Sequence, residues 1–167
     1  VKSELNEIIG LSEVKDYVLS LEQNYIIQRL REARGMKADV PTMHMIFTGN
    51  PGTGKTTIAR LVSRYLKAMG VLSGGQLIEV TRADLVGKYV GHTAPLTQQV
   101  IRSALGGVLF IDEAYSLYRG ADDSFGLEAI DTIVKGMEDH REDLIVILAG
   151  YTKEMEEFLT ANSGLRS

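Results

Sequence analysis

Two stretches of this chain contain no polar residue at all: Val108–Ile111, which reads VLFI, and Leu144–Ala149, which reads LIVILA. A strand with one face in water alternates apolar and polar residues. A strand with no polar position needs cover on both faces, which is the condition of a parallel sheet with helices above and below it. Both runs are far too short to span a bilayer. Met45–Thr48 and Leu77–Thr81 read as two further short strands, the first leading into a glycine turn.

Helical segments fall between them. Lys55–Met69 is stopped by Gly70, and Leu96–Leu105 by Gly106 and Gly107. Leu127, Ile130, Val134 and Met137 have helical spacing, and Lys153–Thr160 is a last helix. Ser12 can cap an earlier helix running to about Arg34, with Val14, Val18, Leu21 and Tyr25 on one face and Gly35 just past its end. Strands and helices alternate, so the class is α/β with a mainly parallel sheet in which four strands are visible.

Composition narrows the function. The 167 residues suffice for one domain with a real core, and 44% hydrophobic with 24% charged residues is ordinary for a soluble globular chain. Net charge is −4 and no basic block appears, so the electrostatic footprint of a nucleic-acid binder is missing. The absence of cysteine rules out disulfides and thiolate metal sites and fits a reducing compartment, so the expected location is the cytoplasm. His44, His92 and His140 are scattered and suggest no metal site. There is no signal-peptide pattern at Val1, and the chain ends in NSGLRS without a clear stop, as expected of a fragment excised from a longer protein.

The octapeptide GNPGTGKT, Gly49 to Thr56, fits G-x-x-x-x-G-K-[ST] at every fixed position, after an expected strand and at the start of an expected helix. Glycines let backbone N–H groups converge on phosphate oxygens without Cβ clashes, and the helix N-terminus adds partial positive charge. Asn50, Pro51, Gly52, Thr53, Gly54, Lys55, Thr56 and Thr57 are therefore the candidate nucleotide-binding residues. Lys55 can neutralise the β- and γ-phosphates, and the Thr56 hydroxyl can ligate Mg²⁺. Asn50 suits a turn as well as a catalytic role.

In VLFIDEA, Asp112 and Glu113 stand at the end of a buried strand. Asp112 can hold Mg²⁺ opposite Thr56, directly or through water. Glu113 can orient and polarise a water for attack on the γ-phosphate. A solvated Asp-Glu pair at a strand end is common, but here it ends an apolar strand in a chain that carries a phosphate loop. The glutamate argues for hydrolysis, since a small-molecule kinase passes the phosphoryl group to a bound acceptor and has less need of a water-activating base.

With these residues in view, the chain resembles the AAA+ ATPases, and within them the CbxX/CfqX group. The segments that carry the resemblance are IIGL (8–11), GNPGTGKTTIAR (49–60), ADLVGKYVGHTAP (83–95), GGVLFIDEAYSLYR (106–119) and LIVILAGY (144–151). The resemblance implies a three-layer sandwich with sheet order 5-1-4-3-2, the fifth strand lying beyond residue 167. It also implies an ATP-hydrolysing hexameric ring that remodels protein clients. Rubisco, a secretion component or a sporulation factor would each suit such a core.

The resemblance assigns further residues. Tyr89-Val90-Gly91 matches the aromatic–hydrophobic–glycine pattern of the first pore loop in threading rings, where an aromatic grips a polypeptide by apolar contact; Gly87 and Gly91 would let that loop swing. By composition alone, Tyr89 would instead pack on its own domain. Ile9 and Gly10 match the segment whose backbone meets adenine. Thr81 matches a position that often senses nucleotide state, although a plain strand-end threonine is the simpler reading. AGY puts Tyr151 where the family pattern has a sensor asparagine, so the chain departs from the pattern there. The trans-acting arginine would fall just past Ser167, next to Arg166, and the helical lid beyond it. Residues 1–167 are thus expected to form the α/β nucleotide-binding subdomain. That unit alone would be mainly monomeric, binding ATP or ADP with Mg²⁺ but hydrolysing ATP poorly. A nucleic-acid motor or clamp loader of the same superfamily is the first alternative, opposed by the acidic balance and the aromatic loop. A nucleotide switch without turnover is the second, opposed by the intact Lys55, Asp112 and Glu113.

Overall fold

The computed structural model describes Leu30, Gly35, residues 44–48 and residues 54–162. The helix expected over 12–34 lies outside the described residues, apart from Leu30, which is helical. The strands are β1 (Met45–Thr48), β2 (Leu77–Val80), β3 (Val108–Ile111) and β4 (Ile145–Gly150). The helices are α1 (Lys55–Ala68), the one-turn α2 (Arg82–Leu85), α3 (Thr93–Ala104), α4 (Ser124–Asp139) and α5 (Thr152–Ala161), with a 3-10 turn over Ala114–Leu117. All pairings are parallel and the sheet order is β1-β4-β3-β2, the described part of the expected order. No helix among the described residues is long and apolar enough to cross a membrane.

The two wholly apolar runs occupy the two central strands, and every residue of β3 and β4 is buried. Their side chains alternate between two cores. Val108, Phe110, Ile145 and Ile147 face α1, against Ile58, Val62 and Leu66. Leu109, Ile111, Val146 and Leu148 face the other side, against residues of α3, α4 and α5 such as Ile101, Ile133 and Phe158. Helices therefore cover both faces, and the absence of polar residues in these strands follows directly.

Two of the boundaries that differ from the sequence expectation do so for a clear physical reason. Helix α3 begins at Thr93 rather than Leu96, because Pro95 falls in the first turn, where a missing N–H costs no intrahelical bond. Strand β2 stops at Val80 because Thr81 turns into α2, its N–H donating to Asp84 Oδ2 at 2.9 Å. This geometry makes Thr81 the N-cap of α2. On α4 the buried face is Gly126, Ala129, Ile130, Ile133 and Gly136, with Val134 and Met137 only half-buried. Gly136 marks a close approach to α3: a Cβ there would sit 2.8 Å from Ile101 Cδ1.

Parallel strands point their C-terminal ends to one edge. The register sets Thr48 beside Gly150, and Ile111 beside Leu148 and Val80. Whatever follows each strand gathers on that edge, the usual location of ligand sites in open α/β sheets.

Candidate functional site

Helix α1 opens the site. Gly54 takes a left-handed backbone, φ 79° and ψ 24°, and its carbonyl accepts the Ile58 N–H at 3.0 Å as the first turn closes. Only a residue without a Cβ adopts that conformation at little cost, which accounts for glycine just before the lysine. The first turn, Lys55-Thr56-Thr57, carries no acidic side chain, so its amides and the positive end of the helix dipole meet no competing carboxylate there. Lys55 and Thr56 are half-buried and Thr57 is exposed. Ile9, Gly10, Asn50, Pro51, Gly52 and Thr53 lie outside the described residues, as does Arg166.

The acidic pair follows β3. The Asp112 N–H donates to the Val80 carbonyl at 2.9 Å, which extends the β2–β3 pairing by one bond. The Glu113 N–H then folds back to Asp112 Oδ1 at 2.9 Å. Glu113 has φ 50° and ψ 47°, and it is the one non-glycine residue of left-handed backbone among the described residues. That conformation costs an L-residue about 1–2 kcal/mol. Its carbonyl accepts the Ser116 N–H at 2.9 Å, so the 3-10 turn holds the strained residue in place, and its side chain is exposed.

Strand β4 lies between β1 and β3, so the residue after it falls between the end of β1 and the acidic turn. That residue is Tyr151. Its ring stacks on Tyr115 of the 3-10 turn with centroids 6.1 Å apart and 29° between planes. Lys55 Nζ lies 5.9 Å from the centre of the same ring. Burial, and after it the charge of nearby Glu113, pushes the Tyr115 phenol above its ordinary pKa. Lys55, Asp112, Glu113 and Tyr151 thus gather on one edge, as β-order requires.

Tyr89, Val90 and Gly91 are not part of this cluster. They lie on the loop between α2 and α3, with Tyr89 67% and Val90 88% exposed. Tyr89 is not buried in the core; the edge of its ring meets that of His92, at 5.4 Å and 82°. The two flanking glycines do different jobs. Gly91 has φ 85° and open space around it. Gly87 is a point of close approach, where a Cβ would lie 2.6 Å from His92 Cβ, and its N–H donates to Thr93 Oγ1 at 3.0 Å. The root of the loop is therefore pinned, and only its tip stands clear.

Sequence reasoning missed the contact that ties this loop to the acidic turn. Arg82 of α2 forms a two-point ion pair with Asp123, and its Nη1 also donates to the Ser116 carbonyl at 2.9 Å. Asp123 is also the N-cap of α4, its carboxylate accepting the Gly126 N–H at 3.1 Å. A partner so distant in sequence leaves no local signal. Among the described residues, no group of three or more His, Cys, Asp or Glu is placed to hold a metal ion. A hydroxyl and a carboxylate, Thr56 and Asp112, are instead a hard-oxygen pair suited to Mg²⁺, which keeps several waters and binds phosphate oxygens beside one or two protein ligands.

A family model described as "ATPase family associated with various cellular activities (AAA)" matches residues 45–165. Stage V sporulation protein K of Bacillus subtilis (strain 168) is 50% identical over 167 residues, covering 100% of this chain and 52% of that protein. Protein CbbX of Cereibacter sphaeroides is 50% identical over 162 residues, 96% of this chain and 52% of that protein. A chloroplastic ribulose bisphosphate carboxylase/oxygenase activase of Cyanidioschyzon merolae is 49% identical over 162 residues, 96% of this chain and 55% of that protein. The chain spans about half the length of the curated relatives it matches.

Proposed function

Because the chain belongs to the AAA family of ATPases, we propose that it is the nucleotide-binding core of an ATP-hydrolysing machine that remodels a protein client. The observation that carries this reading is the single sheet edge that holds Lys55, Asp112 and Glu113, with Tyr89 and Val90 exposed on a separate loop.

The roles divide by position. The start of α1 receives the phosphates: its amides point outward, and the Lys55 ammonium neutralises the β- and γ-oxygens. Thr56 and Asp112 would hold Mg²⁺, whose chemistry there is to offset phosphate charge. Glu113 is the base. Its exposed carboxylate orients a water and takes a proton from it as the water oxygen bonds to the γ-phosphorus and the bond to the β–γ bridging oxygen breaks, leaving ADP and phosphate. The strained backbone of Glu113 and its hydrogen bond to Asp112 hold base and metal ligand in fixed relation. Ile9 and Gly10 are proposed to meet the adenine ring, and Asn50 to Thr53 to wrap the phosphates with Gly54.

Tyr89, Val90 and Gly91 are proposed to line the pore of a homo-hexameric ring and to grip the client. An exposed tyrosine offers apolar contact area without demanding a particular sequence. The name of one relative, a ribulose bisphosphate carboxylase/oxygenase activase, points to an enzyme as what that relative acts on and supports a protein client here.

The test uses the full-length protein. Lys55→Ala should abolish ATP binding, read by calorimetry. Glu113→Gln should keep it, stop turnover and retain client in an ATP-dependent complex. Wild-type hydrolysis by Glu113→Gln would sink the assignment of the base, and stimulation of turnover by polynucleotide rather than protein would sink the choice of client.

A further inference from the structure

Three side chains from three separate elements stand in a row at the C-terminal edge of the sheet: Lys55, Tyr151 and Tyr115. Topology forces the middle one into place, because β4 lies between the strand that feeds the phosphate loop and the strand that carries the acidic pair. The backbone of Tyr151 is held as well. It is the N-cap of α5, and its carbonyl accepts the Met155 N–H at 2.9 Å. The preceding Gly150 is a close approach, where a Cβ would come 2.9 Å from Tyr115 Cδ1 and 2.8 Å from Met155 Sδ. Glycine there lets Tyr115 come close enough to stack on Tyr151. The ring is thus braced by Tyr115 and by the helix start, and the Lys55 ammonium lies 5.9 Å from its centre.

An ammonium near the face of an aromatic ring is attracted by the negative potential of the π-system. Lysine is a point charge on a flexible stem with much rotamer freedom, so a contact that keeps it at the site reduces the ordering needed when phosphate arrives. We propose that Tyr151 is a positioning residue for Lys55: its ring face holds the ammonium at the phosphate site, and its hydroxyl is dispensable. This rests on the reading of Lys55 as the phosphate-neutralising cation. It gives Tyr151 a role unlike that of a polar side chain reaching the γ-phosphate.

The experiment measures MgATP affinity, kcat, KM and melting temperature in the full-length protein. The variants are Tyr151→Phe, Tyr151→Leu and a series with increasingly fluorinated phenylalanine at position 151, with Lys55→Ala as the control. Removing the ring in Tyr151→Leu should weaken ATP binding roughly two- to five-fold, the range of a partly exposed cation–π contact. The effect should fall on KM more than on kcat. Tyr151→Phe should keep the affinity that Tyr151→Leu loses. Fluorination draws electron density from the ring face at nearly constant size, so affinity should fall in graded steps while the melting temperature stays level.

Loss in Tyr151→Phe equal to that in Tyr151→Leu would overturn the proposal, because the hydroxyl would then be the working group. Flat affinity across the fluorinated series would overturn it too, and that series decides the matter if Tyr151→Leu does not fold. A Lys55→Ala variant that collapses while the fluorinated series stays flat sinks only the inference about Tyr151. Unchanged affinity in Lys55→Ala sinks the reading of the lysine and this inference together.

Discussion

Arg82 and Asp123, 41 residues apart, meet in a two-point ion pair: Nη1 donates to Oδ2 at 2.6 Å and Nη2 to Oδ1 at 3.0 Å. Both side chains are largely shielded, 16% and 13% exposed. The pair joins α2, which leads into the exposed loop, to the start of α4, and through the Ser116 carbonyl to the turn after Glu113. A planar guanidinium that meets a carboxylate at two points is hard to replace with lysine. Removing one partner strands the other, so Asp123→Asn should cost about 3 kcal/mol, while Arg82→Met with Asp123→Leu should cost less than either single change suggests. Denaturant melts of the singles and the double measure this.

The same pair makes a prediction in acid. The hydrogen bond from Arg82, foremost, holds Asp123 down from 3.8 to about 2. A carboxylate whose folded pKa is depressed contributes stability that is fully present above 3.8 and is lost as pH falls through about 2. Between those values Asp123→Asn should show a shallower loss of stability than the parent. Parallel curves over that window would remove Asp123 from the account of acid unfolding.

His44 acts at higher pH. Its Nδ1 accepts the Val146 N–H at 2.9 Å just before β1, so the neutral ring helps hold β1 to β4. Burial lowers its pKa below 6.5, against opposing contributions from the Met137 backbone and Glu138. The unfolded chain then takes up the proton first, and stability should fall as pH drops below 6.5. His44→Leu should be less stable at neutral pH but flatter below it, as thermal melts across pH 7 to 5 would reveal.

Glu113, the proposed base, sets stability against chemistry. Glycine tolerates its left-handed backbone at no steric cost, so Glu113→Gly should raise stability by about 0.5–1 kcal/mol while abolishing turnover. Glu113→Gln keeps the strain and should melt like the parent. A Glu113→Gly variant less stable than the parent would show that the carboxylate, rather than the backbone, dominates stability here.

The exposed loop predicts opposite results at two neighbouring positions. Tyr89 is 67% exposed, so Tyr89→Ala should change stability by no more than about 0.5 kcal/mol while uncoupling ATP use from client remodelling. Gly87→Ala must displace His92 or Thr93 and should cost about 1–3 kcal/mol. Paired melts and client assays separate the two; a large loss of stability in Tyr89→Ala would mean that its ring supports the fold.

Local chemistry alone revealed much here. VLFI and LIVILA required a sheet covered on both faces, and GKT and DE pointed to phosphate and water-activating chemistry, because each signal is contained within a few adjacent residues. The short α2 and the 3-10 turn were not legible, since each is a single turn held by capping and distant contacts that leave no periodicity. The full extent of the face that α4 buries was not legible for a related reason. Gly126, Ala129 and Gly136 carry too little apolar surface to register as a stripe, yet the missing Cβ of Gly136 is what lets Ile101 of α3 approach. Only the tertiary structure set Arg82 against Asp123, stood Tyr151 between Lys55 and Tyr115, and separated a pinned Gly87 from an open Gly91. Those relations depend on strand order and register, which bring together residues that the chain itself keeps far apart.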